Sequence, residues 1–357
     1  MNLAMRTKRI TIKDVAVLAG VSTGTVSRFI RNDGYVGEES KSRIAKAIHE
    51  LHFIPSATAR SMINHDSRII GIAVPEINNP FLADLVVRIE AGLSKKKYSI
   101  MLCNTEYSTQ KTENFINDLI MRHSDGIIMI ATQVSDKKTL EKINMFMHGV
   151  VVGQKIPHFN SINFNDRKAA YDIAYHMIGK GHRNIACIGF HINASQTMER
   201  RDGVMWALSD NDIPAKAEYM MGYDGSESPE IENDDARNVG YVYTNMLLDL
   251  PEPPTAIIAI NDFYAIGAYE AITEHGLKVG EDIAVSGFDD ISIAKFMMPS
   301  LTTVKCDTRS MANLAVEILM RKIYDSGEEN EEERNFTLPS DIMLRESTRF
   351  TLIPDRN

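Results

Sequence analysis

Residues 11–30, TIKDVAVLAGVSTGTVSRFI, decide how the N-terminal part of this chain is read. Thr11 stands before an apolar-periodic run, with Asp14 three residues on. That is the spacing of a reciprocal helix cap, and it puts a carboxylate at the positive end of the helix dipole. Val15, Ala16 and Ala19 recur on one face of that helix, and Gly20 can take the left-handed conformation that ends it. Ser22 then caps a second run, TGTVSRFIR, with Val26, Phe29 and Ile30 turned inward. Two short helices joined by a glycine-containing turn predict a helix-turn-helix whose second helix enters a DNA major groove. By periodicity alone, any compact helical hairpin meets the same pattern.

Charge supports the DNA-binding alternative. Residues 1–65 hold ten Lys/Arg and five Asp/Glu, a net of +5; residues 66–357 hold 29 and 43, a net of −14, and the sum is the −9 of the whole chain. A basic head on an acidic body suits a protein that touches phosphate with one end only. The basic residues Arg6, Lys8 and Arg9 are not followed by an apolar export segment, and no apolar run is long enough to cross a bilayer. A cytoplasmic protein with no membrane partner is expected. Cys103, Cys187 and Cys306 are odd in number, far apart and set in apolar segments, so they read as reduced structural thiols.

The first 65 residues carry no strand pattern, and from Arg68 the style changes. Short apolar runs recur at 68–74, 98–103, 126–131, 149–153, 184–190, 255–260 and 282–288, separated by amphipathic stretches such as 80–96, 109–122, 166–179 and 262–275. Buried-type strands alternating with helices predict parallel sheets, and this length calls for two α/β lobes. The acidic segment SGEENEEER (326–334) reads as a solvated loop.

The string 11–30, a third helix at about 38–51 and the segment HFIPSATARSM (52–62) strongly resemble the head and hinge of the lactose-repressor/galactose-repressor family of bacterial regulators. The segments PEINNPFLADLVVRIE (75–90), GKGHRNIACIG (179–189), NDFYAIGAYEAI (261–272) and VSGFDDISIAKFMMPSLTTV (285–304) resemble the family's core, shared with periplasmic sugar-binding proteins. The resemblance implies an N-terminal all-α helix-turn-helix head plus an α/β two-lobed periplasmic-binding-protein-like body. It places the DNA-binding domain with its hinge helix at 9–64. The N-lobe of the effector-binding domain falls at 67–164 plus 304–328, and the C-lobe at 165–303 plus 329–357.

The family's roles fall on matching residues. Thr23, Gly24 and Arg28 face base edges, where the Arg28 fork suits guanine O6 and N7. Gly24 has no side chain to read a base and lets the helix approach closely. Ser22, Thr25 and Ser27 are placed for phosphate. In the hinge, Pro55 starts a short helix carrying Ala57, Ala59 and Met62; Ala59 and Met62 are expected at the DNA, with Met62 as the apolar wedge into the minor groove where leucine is usual. In the body, Phe81, Phe164, Arg200, Asn261 and Asp289 are the implied effector contacts. Arg201 rivals Arg200, Asp262 reads equally as a helix cap, and Tyr223 is a further candidate.

Enzymatic signatures are missing: the ten histidines include no H-E-x-x-H, and there is no G-x-S-x-G or phosphate-binding loop. Asp289–Asp290 lacks the rest of a metal set. No catalytic residue, cofactor or metal is implied. The expected protein is a ligand-responsive regulator binding a pseudopalindromic double-stranded operator as a homodimer. It is a repressor of carbohydrate-utilisation genes, with a sugar as the small-molecule effector. A corepressor that is a phosphorylated carrier protein and a purine effector are the alternatives. A transport-type binding protein or an enzyme is opposed by the head. The ending FTLIPDRN lacks leucine heptads, so no tetramer-forming tail is expected.

Overall fold

The computed structural model describes residues 10–31, 33–53, 67–132, 134, 136–192, 194–223, 235–324 and 334–349. The hinge residues Pro55, Ala57, Ala59 and Met62, most of the acidic segment 326–334 and the ending FTLIPDRN lie outside them. The chain divides into two units, one up to Ser67 and one from Arg68.

The first unit holds α1 (Ile12–Ala19), α2 (Thr23–Arg31) and α3 (Glu38–Glu50), with no strand among its described residues. The Thr11 N–H and hydroxyl donate to the Asp14 carboxylate at 2.7 and 2.6 Å, which closes the start of α1. Gly20 ends α1 at φ 61°, and its N–H donates to the carbonyls of Ala16 and Val17. Ser22 Oγ accepts from Thr25 N–H at 3.1 Å and opens α2. Val15, Ala16, Ala19, Val26, Val36, Ile44 and Ala47 form the buried core, and Phe29 and Ile30 pack against it. A core this small leaves little surplus stability, so each cap and each buried methyl counts.

The second unit holds two six-stranded sheets. In chain order the strands are β1 (Ile69–Val74), β2 (Ser99–Asn104), β3 (Gly126–Ile130), β4 (His148–Val152), β5 (Asn160–Phe164), β6 (Ile185–His191), β7 (Met220–Tyr223), β8 (Ala256–Ala259), β9 (Ala284–Asp289), β10 (Thr302–Cys306), β11 (Asn335–Leu338) and β12 (Ser340–Met343). The first sheet runs β11-β5-β4-β3-β1-β2 and the second β12-β10-β9-β8-β6-β7. Every pairing is parallel except β10 with β12. Central strands such as β3 and β8 are buried throughout, as helix-covered parallel strands must be.

The lobe boundaries differ from expectation at two points. The return to the N-lobe comes after Cys306, because β10 completes its pairing with β9 in the second sheet. The C-terminal part is not all C-lobe: β11 pairs with β5 in the first sheet, and only then does the chain cross to β12. Polar side chains set this pairing. Asn160 Oδ1 accepts from Arg334 N–H at 3.0 Å, and the Ser161 hydroxyl bonds the Asn335 side chain. Three crossings therefore join the lobes, after β5, after β10 and between β11 and β12.

Candidate functional site

On the head, Ser22, Thr23, Gly24 and Arg28 are exposed, and Thr25 and Ser27 are half-buried. All lie on or just before α2, away from its buried Val26. Ser22 and Thr25 also bond to each other through their hydroxyls at 2.9 Å, so both serve the helix cap as well as the surface. Arg28 has no ion-pair partner among the described residues. A Cβ on Gly24 would meet only Ser22 Oγ, at 3.6 Å, so nothing inside the head requires glycine there.

In the body, a cavity of about 760 Å³ opens between the two sheets at the C-terminal ends of their strands. This is where open α/β sheets expose loop side chains and backbone amides to ligands. Phe81, Phe164, Arg200, Asn261, Asp289 and Tyr223 all line it.

The floor is built around Arg200. Its Nε donates to Asp166 Oδ1 at 2.7 Å, its Nη1 donates to the Ile260 carbonyl at 2.5 Å, and Asp289 Oδ1 lies 3.6 Å from Nη1. The guanidinium lies over the Phe288 ring, 4.3 Å from its centroid. Burial works against this cation, but Asp166 and Asp289 outweigh it and hold its pKa above the usual range. Asp289 has its own tension. Burial raises its pKa, Arg200 lowers it and Asp166 raises it, and the balance stands at about 6. Its backbone sits at φ 103°, a conformation rarely adopted by residues with side chains.

A close helix crossing places the Asp166–Arg200 pair. Asp166 opens the helix Asp166–Gly179, and Arg200 lies in the helix Ser195–Asp210. A Cβ at Gly203 would lie 2.1 Å from the Arg167 carbonyl, so only glycine allows this approach. Arg201 turns elsewhere, to Asp202 at 2.7 Å, which separates the two candidate arginines.

Asn261 lines the cavity and also takes the capping part that Asp262 shared in the sequence reading. Asn261 Oδ1 accepts from the N–H groups of Phe263 and Tyr264 and caps the helix Asp262–Glu274. Asp262 is buried, takes the Thr303 hydroxyl at 2.5 Å and the Ile291 N–H at 2.9 Å, and so ties the β9–β10 loop to the cleft. Burial and then Asp289 push its pKa well above the carboxylate range.

Sequence reasoning missed Glu76, Tyr107, Asp166 and His191, all of which line the cavity. A usable signal existed: Glu76, Tyr107 and His191 stand at or just after the ends of β1, β2 and β6. Among the described residues no group of three or more His, Cys, Asp or Glu is placed to hold a metal ion, and no helix is long and apolar enough to cross a membrane.

Comparison with known proteins agrees across the chain. Residues 11–56 match the family of bacterial regulatory proteins of the lacI type, and residues 174–348 match the periplasmic binding protein-like domain. The transcriptional repressor PurR of Actinobacillus pleuropneumoniae serotype 3 is 33% identical over 316 residues, covering 88% of this chain and 91% of that protein. PurR of Aliivibrio salmonicida is 31% identical over 94% of this chain and 98% of its own. Among solved structures, the Lac repressor bound to ONPG superposes with a TM-score of 0.78 at 25% identity, covering 96% of this chain and all (100%) of that one. A lacI-family regulator of Enterococcus faecium with bound ribose gives 0.68 at 25% identity, covering 80% and 100%.

Proposed function

The chain belongs to the lacI family of bacterial regulatory proteins, and on that footing we propose that it is a cytoplasmic, ligand-responsive transcription repressor, acting as a homodimer on a pseudopalindromic operator. The observation that carries this is the exposed face of α2, where Arg28 stands exposed beside a glycine that the head itself does not need. A helix face that sets a guanidinium fork beside a bare glycine is what base readout in a major groove requires. Binding-site selection on random duplexes tests it. The expected product is a two-fold-related site, one half-site per head; recovery of unrelated sequences would defeat the proposal.

The effector proposed for the cleft is a small sugar. Arg200 and Asp289 offer a donor and an acceptor to ring hydroxyls, and Phe81, Phe164 and Tyr223 offer apolar faces to the ring. A purine is the second reading. It is favoured by the relatives named as PurR and by the same aromatic faces, which suit a nucleobase as well. A thermal-shift screen of sugars and nucleobases, run with and without selected operator, separates the two. Stabilisation by purines alone would remove the sugar.

A further inference from the structure

A second, smaller cavity of about 370 Å³ lies beside the cleft and shares Phe81 and Asp289 with it. That volume falls within the range of about 300–1,000 Å³ that small-molecule sites occupy. Its walls come from both lobes. The helix Pro80–Lys95 supplies Asp84 and Arg88, and the loop after β9 supplies Asp290 and Ser292. The end of β10 and the first turn of the helix Thr308–Tyr324 supply Lys305, Asp307, Thr308 and Arg309.

The four carboxylates on these walls each have partners already. Asp84 accepts from Arg88 Nε at 2.7 Å and from the Thr308 hydroxyl at 2.5 Å. Asp289 lies 3.6 Å from Arg200 Nη1, and Asp290 accepts from Arg345 Nη2 at 2.5 Å. Asp307 accepts from the Arg309 N–H at 3.0 Å and from the Ser310 hydroxyl at 2.6 Å.

The cations are less occupied. Lys305 and Arg309 are exposed, and among the described residues their side chains form no ion pair. Their charges reach Asp307 and Asp84 without contact. Arg88 is tied to Asp84 through Nε, which leaves its two Nη groups outside that pair. Both Lys305 and Arg309 stand where local structure does not favour them. Lys305 is the exposed position of β10, a strand otherwise buried, and lysine is depleted in strands. Arg309 sits in the first turn of its helix, at the positive end of the dipole. Local rules broken together at one cavity point to a ligand.

We infer that this second cavity is a site for a small molecule bearing a phosphate monoester, held by Lys305, Arg309 and the Nη groups of Arg88. A phosphate monoester carries about −1.5 to −2 at neutral pH, which matches the two cations that lack ion pairs. Its three oxygens suit guanidinium forks and an ammonium together, and Ser292 adds a hydroxyl at the wall. A carboxylate, with one charge, leaves one of the two cations unmatched. Because the walls belong to both lobes, a bound phosphate ties the lobes together beside the cleft and gives the body a second input, separate from the first cavity's ligand.

Calorimetry on the full-length protein at about 0.15 M salt tests this with ribose 5-phosphate, glucose 6-phosphate and inorganic phosphate, set against ribose and glucose. At least one phosphate ester is expected to bind, and Lys305→Gln and Arg309→Gln should each weaken it about tenfold. The melting temperature of each unliganded variant checks its folding. Lys295→Gln and Arg122→Gln remove exposed cations that line neither cavity, and they should leave the affinity unchanged. Phosphate binding that survives both cavity substitutions places the anion at the head or in the first cavity and overturns the site. Equal losses in the control variants reduce the effect to net charge and overturn it as well. Silence from all three phosphate compounds does the same. None of these outcomes touches the effector reading of the first cavity, which the neutral sugars and the nucleobases test.

Discussion

Gly24 is the residue with the least internal reason to be what it is. Alanine in an exposed helix is favoured over glycine by about 1 kcal/mol, and the added Cβ meets only Ser22 Oγ at 3.6 Å. Gly24→Ala should therefore leave the melting temperature unchanged or slightly raised while weakening specific operator binding; unchanged affinity in fluorescence anisotropy would refute close approach. Its neighbour gives the converse test. Arg28→Ala should relax preference at one base position per half-site, worth about 1–3 kcal/mol of discrimination, and a selection with unaltered preference would count against the contact. Asp289 yields a pH prediction. Its folded pKa of about 6 lies above the ordinary carboxylate value. Folding thus binds a proton between about pH 4 and 6, and the stability this supplies is complete below that window and lost as pH rises through it, about 3 kcal/mol in all. A ligand hydroxyl or amine donating to Asp289 favours the ionised form, so binding expels the proton. Effector affinity should fall as pH drops below about 6, and Asp289→Asn should flatten the profile. Calorimetry in buffers of different ionisation enthalpy reads the proton directly, and none released near pH 6 would exclude the donation.

At the scale of elements, the crossing of the helices Asp166–Gly179 and Ser195–Asp210 supports the cleft floor. Gly203→Ala puts a methyl 2.1 Å from the Arg167 carbonyl, forcing the helices apart at a cost of about 1–3 kcal/mol. The lower melting temperature should come with weaker effector binding, because the same shift draws Asp166 from Arg200; lost stability with intact affinity would uncouple the two. Strands with continuous apolar runs were legible in the sequence, β1 to β4, β6, β8 and β9 among them, as were the helices and the head caps. β5 was not, because its NSINF alternates polar side chains that are buried through bonds to β11 and to each other. β11 and β12 are four-residue strands with little apolar signal, so the crossing between them could not be placed. The Arg200 position was legible from the family motif, but its partner Asp166 reads in the sequence as an ordinary first-turn acid. Tyr107 and His191 come together only through the folding of two sheets, which no local pattern encodes.

For the whole molecule, the charge split and the proposed sensing act on different terms of one equilibrium. The basic head, net +5 over residues 1–65 against −14 for the rest, supplies phosphate attraction that falls with salt whatever the sequence. Effector control must instead reach the part of the affinity that depends on sequence and on the hinge. Met62→Ala should lower operator affinity while leaving non-specific binding and its salt slope nearly intact, since an apolar wedge carries no charge. Equal losses on operator and random DNA would show that Met62 is no wedge. The same logic fixes the size of the allosteric effect. If saturating effector changes operator affinity by some factor, operator must change the product of the effector affinities of the dimer's two clefts by the same factor, because both are legs of one thermodynamic cycle. Anisotropy of labelled operator titrated at zero and saturating effector gives the first factor, and calorimetry of effector into free and operator-bound protein gives the second. Agreement within error, preserved across salt concentrations that change the absolute operator affinity a hundredfold or so, is the expected result. A mismatch would mean that effector also binds outside the cleft or alters the dimer, and a single two-state body would no longer account for the control.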